Sequence, residues 1–320
     1  MLNLASLEGE QLAAMKPVNL DSKGIAIALL STATWGTAGI FIRWLPGWSP
    51  FAILAGRFLV AAIALLPIVL APKLRRELFD SLQAPYIWSL SIPMIGGFLL
   101  GTTAFQMAPV GEVTLFFTTS PFFVAAYKIL SGARIHRNES IGTLLSMAGV
   151  ILIVLPQLSM ASGAASGTSW QTVMGYGFAL SGAGLLAVYI LWFGAIARKG
   201  ITLRPTNIVF VTCLLGCVLS SICTVLLADS ASAFDLTERT VLVILGLGIL
   251  STATSTLLYT VAAQRLPALL AAAFLLTEPL FAVLYASVLL KESPSVWFGF
   301  GSALVLSGLL LISKDTEAIA

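Results

Sequence analysis

Apolar stretches of about twenty residues recur along the whole of this 320-residue chain, each long enough to cross roughly 30 Å of hydrocarbon at about 1.5 Å per residue. Only short polar breaks separate them. Backbone N–H and C=O groups find no water inside a bilayer, so a spanning segment is either a helix or a strand of a closed barrel. Barrel strands alternate polar and apolar side chains. These stretches do not alternate, which leaves helices.

Composition agrees. Charged residues are 10% of the chain and hydrophobic ones 58%. A soluble domain carries about 25% charge and could not cover its surface with so little. The net charge of +3 is too small to draw the chain to nucleic acid. Cys213, Cys217 and Cys223 share one apolar run and read as small buried side chains rather than a disulfide or metal site. His136 is the only histidine and lies in a basic loop, so no histidine cluster offers to hold a metal. Residues 1–23 carry Glu8, Glu10, Lys16, Asp21 and Lys23 but no apolar core of a signal peptide.

Spans are expected near 24–44, 50–71, 86–108, 111–130, 139–157, 172–196, 205–227, 239–262, 266–289 and 294–313. An even count places both termini on one side. With the termini in the cytoplasm, thirteen Lys and Arg residues fall at cytoplasmic ends and loops, and only Arg43, Arg239 and Lys291 outside. That is the positive-inside bias of an inner-membrane protein.

The halves are related. Shifting the chain by 158 residues lays 100–127 on 258–285 without a gap, with ten identities in 28 positions. Pro109 meets Pro267, Pro121 meets Pro279 and Gln106 meets Gln264. Apolar bias alone does not put two prolines and a glutamine in register. Gly142 and Gly149 match Gly301 and Gly308 with one further residue of shift. The expected fold is therefore an all-α membrane protein, ten transmembrane helices as two inverted five-helix repeats. The expected segments are a cytoplasmic tail at 1–23, repeats at 24–157 and 172–313, an external linker at 158–171 and a cytoplasmic tail at 314–320. Inverted repeats are a common transporter architecture, with substrate held near the midplane between halves.

Two charges interrupt the apolar runs. Glu278 falls near the middle of the ninth span. A charge there costs on the order of 2.5–3.5 kcal/mol, so it should face the bundle interior. Pro279 cannot donate to the carbonyl one turn earlier, so it should loosen the helix beside that carboxylate. Such a polar notch suits an ammonium group or a proton. Arg57 lies in the second span and cannot shed its charge. Its expected partner is Glu112 or an anionic group of the substrate. The matching positions in the other half are Ser120 and Thr212, so both charges are unmatched. Structural roles, an acid bonded to neighbouring helices or an ion pair, are the alternatives.

Gln106 and Gln264 each stand three residues before the proline of a turn and read as shaping that turn. Trp35, Tyr127, Tyr189, Trp192, Tyr259 and Tyr285 are aromatic candidates for a cavity wall, and belts or packing are their other uses.

These residues together resemble the drug/metabolite transporter superfamily, in its EamA branch. The resemblance is carried by ten spans in two halves, Trp35-Gly36, Arg57, Thr277-Glu278-Pro279-Leu280, Leu290-Lys291-Glu292, and Gly301 through Gly308. It covers roughly 24–313. The family often has a glutamate in both halves at the position of Glu292, and the first half here has Ala133. The resemblance implies export or exchange of a small metabolite, an amino acid or a related compound, by alternating access of two halves. Drugs, nucleosides or sugars are the alternative substrates. It implies no cofactor, with a proton or an exchanged solute as the coupled species and a monomer or homodimer as the unit.

Three other function classes fit less well. An intramembrane enzyme needs acid, base or metal groups close together, and no such cluster stands out. A channel shows a symmetric filter or rings of charge, whereas these charges are unmatched. No phosphate-binding loop of a primary pump (GxxxxGK[ST]) occurs.

Overall fold

The computed structural model describes residues 21–108, 110–132, 136–162, 170–199, 201, 204–227, 237–289 and 296–319. The described residues form helices and short turns, with no strand among them. In chain order the α-helices are α1 (Ser22–Trp35), α2 (Ala38–Arg43), α3 (Pro50–Val69), α4 (Pro72–Gln83), α5 (Pro85–Met107), α6 (Val110–Phe117), α7 (Ser120–Leu130) and α8 (Arg137–Ser162). They continue with α9 (Trp170–Arg198), α10 (Pro205–Leu227), α11 (Glu238–Gly248), α12 (Ser255–Arg265), α13 (Ala268–Phe274), α14 (Glu278–Leu289) and α15 (Val296–Ile319). Nine stretches among the described residues are long and apolar enough to cross a membrane. The remaining expected span, 139–157, falls within α8, which runs on to Ser162.

Local chemistry sets the ends. Ser49 caps α3 by accepting from the Ala52 N–H at 3.1 Å, with Pro50 in the first turn where its missing N–H costs nothing. The residue before a proline is pushed from helical to extended backbone. Ala108 (φ −137°, ψ 161°) and Leu266 (φ −113°, ψ 148°) are both extended, and they end α5 and α12 before Pro109 and Pro267. The shared prolines of the two halves thus stop equivalent helices.

Four spans are interrupted in mid-course. The first breaks at Gly36-Thr37, between α1 and α2. The fourth breaks at Thr118-Thr119, and Pro121 opens the first turn of α7. The eighth passes through a π-helical turn, Ile249–Thr254, between α11 and α12. The ninth passes through a 3-10 turn, Leu275–Thr277, before Glu278 and Pro279 begin α14.

Helix α4 was not expected from apolar runs. It is a twelve-residue amphipathic helix between the second and third spans. Leu78 is buried while Arg75, Arg76 and Phe79 are exposed. Arg204 donates to Glu77 at 2.8 Å, and the Asn207 side chain donates to Ser81 at 3.1 Å, so α4 docks on the start of α10.

The tightest crossing joins α8 to α15. A Cβ on Gly149 would fall 2.5 Å from the Gly301 carbonyl oxygen, and one on Gly142 would fall 2.5 Å from that of Gly308. The helices run antiparallel, so each glycine meets the repeat mate of the other.

Candidate functional site

The interruptions converge on one place. The first span lies against the eighth and ninth through hydrogen bonds from its hydroxyl side chains. Ser31 donates to the Ser255 carbonyl at 2.8 Å, Thr32 and Thr277 share a hydrogen bond of 2.7 Å, and Thr37 and Ser251 share one of 2.6 Å. Gly36 lets the backbones approach. A Cβ there would be 3.1 Å from the Ala282 nitrogen and 3.3 Å from the Glu278 carbonyl oxygen.

Arg57 reaches the π turn from α3. It is 2% exposed. Its Nε donates to Thr252 Oγ1 at 2.8 Å, Nη2 to the Ser251 carbonyl at 3.3 Å and Nη1 to Thr102 Oγ1 at 3.5 Å. The guanidinium carbon lies 4.5 Å from the centroid of the Phe98 ring, a cation–π contact. A π turn shifts the backbone ladder by one residue, and such turns are common at functional sites. Thr252 returns its own proton to the Leu247 carbonyl at 2.7 Å, which leaves its oxygen lone pairs facing Arg57. Lys128–Glu139, Arg204–Glu77 and Arg265–Asp21 form ion pairs among the described residues, and Arg57 takes part in none of these. The side chain of Glu112, its expected partner, lies outside the described ones.

Glu278 is half-buried, and among the described residues its carboxylate has no hydrogen-bond partner. Arg57 and Glu278 line one cavity together with Trp35, Phe98, Thr102 and Phe117. Its water-accessible space is about 60 Å³, room for a few water molecules, whereas a pocket for a drug-sized ligand measures ~300 Å³ or more.

A larger vestibule of about 600 Å³ opens beyond it, between the Leu45–Ser49 loop and the end of α5. Ile42 and Phe105 line both spaces. Gln106 donates to the Trp48 carbonyl at 2.7 Å, tying the end of α5 to that loop. The opposite end of the bundle is fastened. Lys128 grips both oxygens of the buried Glu139 at 2.9 Å, Arg204 pairs with Glu77, and Arg265 pairs with Asp21 at 2.7 Å. The hydrogen bond from Arg265 holds the Asp21 carboxyl below the ordinary aspartate value.

The other expected site residues fall elsewhere. Tyr189 and Tyr259 are fully buried in packing, with the Tyr189 hydroxyl bonded to Thr260 at 2.8 Å and the Tyr259 hydroxyl to the Ala271 carbonyl at 3.3 Å. Tyr259 packs against Trp35, with ring centroids 5.1 Å apart and the planes tilted at 46°. Trp192 is 40% exposed and donates to Ser89 at 2.8 Å, away from the cavity. Tyr127 is exposed too. Pro121 and Pro279 both sit just after an interruption, while Gln264 holds no position on the cavity wall. Lys291, Glu292 and Ala133 lie outside the described residues.

Sequence reasoning did not single out Thr252, Ser251, Thr102 or Phe98. The signal for the first two was present. Residues 251–256 read Ser-Thr-Ala-Thr-Ser-Thr, five hydroxyls in six positions of an apolar span.

The family model for the EamA-like transporter family matches residues 22–155 and again 168–314. The chain belongs to this family. The two matches make it a tandem of two EamA repeats. It is also similar to the "Uncharacterized inner membrane transporter YedA" of Escherichia coli K12 and of Escherichia coli O157:H7, 25% identical to each over 171 residues. That alignment takes in 53% of this chain and 51% of YedA, so the chain spans about half the length of the curated relatives it matches. A solved structure titled "Crystal structure of protein" superposes with a TM-score of 0.74 over 92% of this chain and 99% of that one, at 20% identity. At that identity the likeness is one of fold alone.

Proposed function

We propose that this EamA protein is a secondary transporter of the inner membrane that exports a small zwitterionic metabolite, an amino acid or a related compound, by alternating access of its two repeats. The observation that carries the reading is that Arg57 and Glu278, contributed by different repeats, line the same cavity. A buried guanidinium with no acidic partner among the described residues calls for an anion, and an unpaired carboxylate calls for a cation or a proton. A zwitterion supplies both, with its carboxylate toward Arg57 and its ammonium group toward Glu278. The aromatic wall of Trp35, Phe98 and Phe117 takes an apolar body.

Both termini are placed in the cytoplasm by the distribution of basic residues. The vestibule then faces outward, and the three ion pairs close the cytoplasmic end. The cavity is contracted around its charges, and the walls must part to admit a metabolite. The repeats are taken as 24–157 and 172–313, and Glu278 doubles as the coupling site for a proton or an exchanged solute.

A thermal-shift screen of detergent-purified protein tests the reading, because a ligand that binds only the folded state raises the melting temperature. Amino acids, amines, nucleosides and sugars are the panel. A zwitterionic amino acid should raise Tm, and Arg57→Ala and Glu278→Gln should abolish that rise. A response to sugars or nucleosides that survives both substitutions refutes the assignment.

A further inference from the structure

Three buried side-chain atoms have no hydrogen-bond partner among the described residues: Ser120 Oγ, Thr256 Oγ1 and Asn207 Oδ1. Two of them are related by the repeat to the cavity. In the 158-residue register Ser120 is the counterpart of Glu278, and Thr256 is the counterpart of Phe98, the ring under Arg57. Both hydroxyls are at most 2% exposed. Leaving such a group unpaired is unfavourable, so native proteins rarely do so without a reason.

The reason lies in the inversion. Phe98 is nine residues before the end of α5, at the vestibule end of the bundle. Thr256 is nine residues before the end of α12, at the end that the Arg265–Asp21 pair fastens. The space that stands open around Phe98 and Thr102 is filled in the other repeat. There Tyr189 is bonded to Thr260, the counterpart of Thr102, and Tyr259 takes the place of Gly101. In an inverted pair of repeats each half adopts, in the second state, the arrangement its partner holds in the first.

We propose that Ser120 and Thr256 line the substrate cavity of the opposite-facing state, where their hydroxyls bond the water or substrate that reaches them from the fastened end. The proposal rests on the alternating-access reading above. In that state Tyr189 parts from Thr260 as the ion-paired end opens, and the space around Phe98 closes.

Cysteine accessibility tests it without knowledge of the substrate. Cys213, Cys217 and Cys223 are replaced by Ala. Single cysteines are then placed by Ser120→Cys, Thr256→Cys, Leu186→Cys on the present cavity wall, and Leu247→Cys in the core. Right-side-out and inverted membrane vesicles are treated with a small impermeant methanethiosulfonate. Leu186→Cys should label from one face. Ser120→Cys and Thr256→Cys should label from the other face, about tenfold or more faster than Leu247→Cys. Labelling of neither hydroxyl position from either face, or labelling from the same face as Leu186→Cys, overturns the proposal and leaves the transport reading intact. Absence of labelling at Leu186→Cys overturns both.

A second measurement covers variants that fold poorly. Hydroxyls without partners add nothing to the stability of this state. Ser120→Ala and Thr256→Val should therefore melt at or above the wild-type temperature, and a clear fall in Tm for both contradicts the proposal.

Discussion

Arg57 Nε donates to Thr252 Oγ1 across 2.8 Å, joining the second span of one repeat to the π turn in the third span of the other. The π turn contributes two acceptors to Arg57, the Thr252 hydroxyl and the Ser251 carbonyl. Thr252→Val keeps the shape and removes the acceptor, leaving a buried charged donor unsatisfied. That should destabilise the protein by about 1–3 kcal/mol. Thr252→Ser, which retains the hydroxyl, should restore most of the loss. Melting curves of the three proteins in one detergent measure it.

The two tryptophans among the candidates should behave oppositely. Trp35 is 8% exposed, lines the cavity and packs on Phe98 and Tyr259. Trp35→Leu should lower the affinity for any ligand found in the thermal-shift screen by about tenfold, the loss of one ring contact and its buried area. Trp192→Leu, far from the cavity and partly exposed, should leave that affinity within about twofold. Ligand titrations of Tm compare them.

Stability at the glycine crossing should fall steeply with size. Gly149→Ala puts a methyl group against the Gly301 carbonyl, where neither backbone has room to yield. Overpacking of this kind costs about 1–3 kcal/mol. Gly177→Ala, inside α9 where a Cβ meets nothing within 4 Å, is the matched control and should melt at or slightly above the wild type.

The Asp21–Arg265 pair should be sensitive to acid. Its folded-state pKa lies below the ordinary aspartate value of 3.8, chiefly through the hydrogen bond from Arg265. A lowered folded pKa gives stability that is present above the unfolded value and lost as pH falls through the folded one. Wild-type Tm should therefore be insensitive to this pair near neutrality and decline below about pH 4. Asp21→Asn should start lower and lack that part of the decline. A Tm difference between the two that stays constant from pH 7 to pH 3 contradicts the assignment.

The scaffold was legible because membrane physics writes it plainly. Apolar length marks spans, basic loops mark sides, and Pro109 and Pro267 stop α5 and α12 in both repeats for a local steric reason. Arg57 and Glu278 stood out because charge is rare in such runs. Their acceptors did not, because Ser and Thr are ordinary in membrane helices, and only the fold shows that the buried Thr252, in a π turn, faces Arg57. Helix α4 escaped notice since it is amphipathic, not apolar. The aromatic residues divided for a similar reason. Residue type does not tell which face of a helix looks inward, so Trp35 reached the cavity while Tyr189, Tyr259 and Trp192 did not.

Solute counterflow in proteoliposomes tests the central claim most directly. Vesicles loaded with an unlabelled amino acid that stabilises the protein are diluted into a trace of the labelled form. The wild type should show saturable, transient accumulation of label, and Arg57→Lys and Glu278→Gln should abolish it while melting as folded proteins. Arg57→Lys matters because an ammonium point charge cannot span the three acceptors of a guanidinium fork. Linear uptake with no dependence on the trapped solute, or wild-type counterflow in both variants, would contradict a transport site built on Arg57 and Glu278.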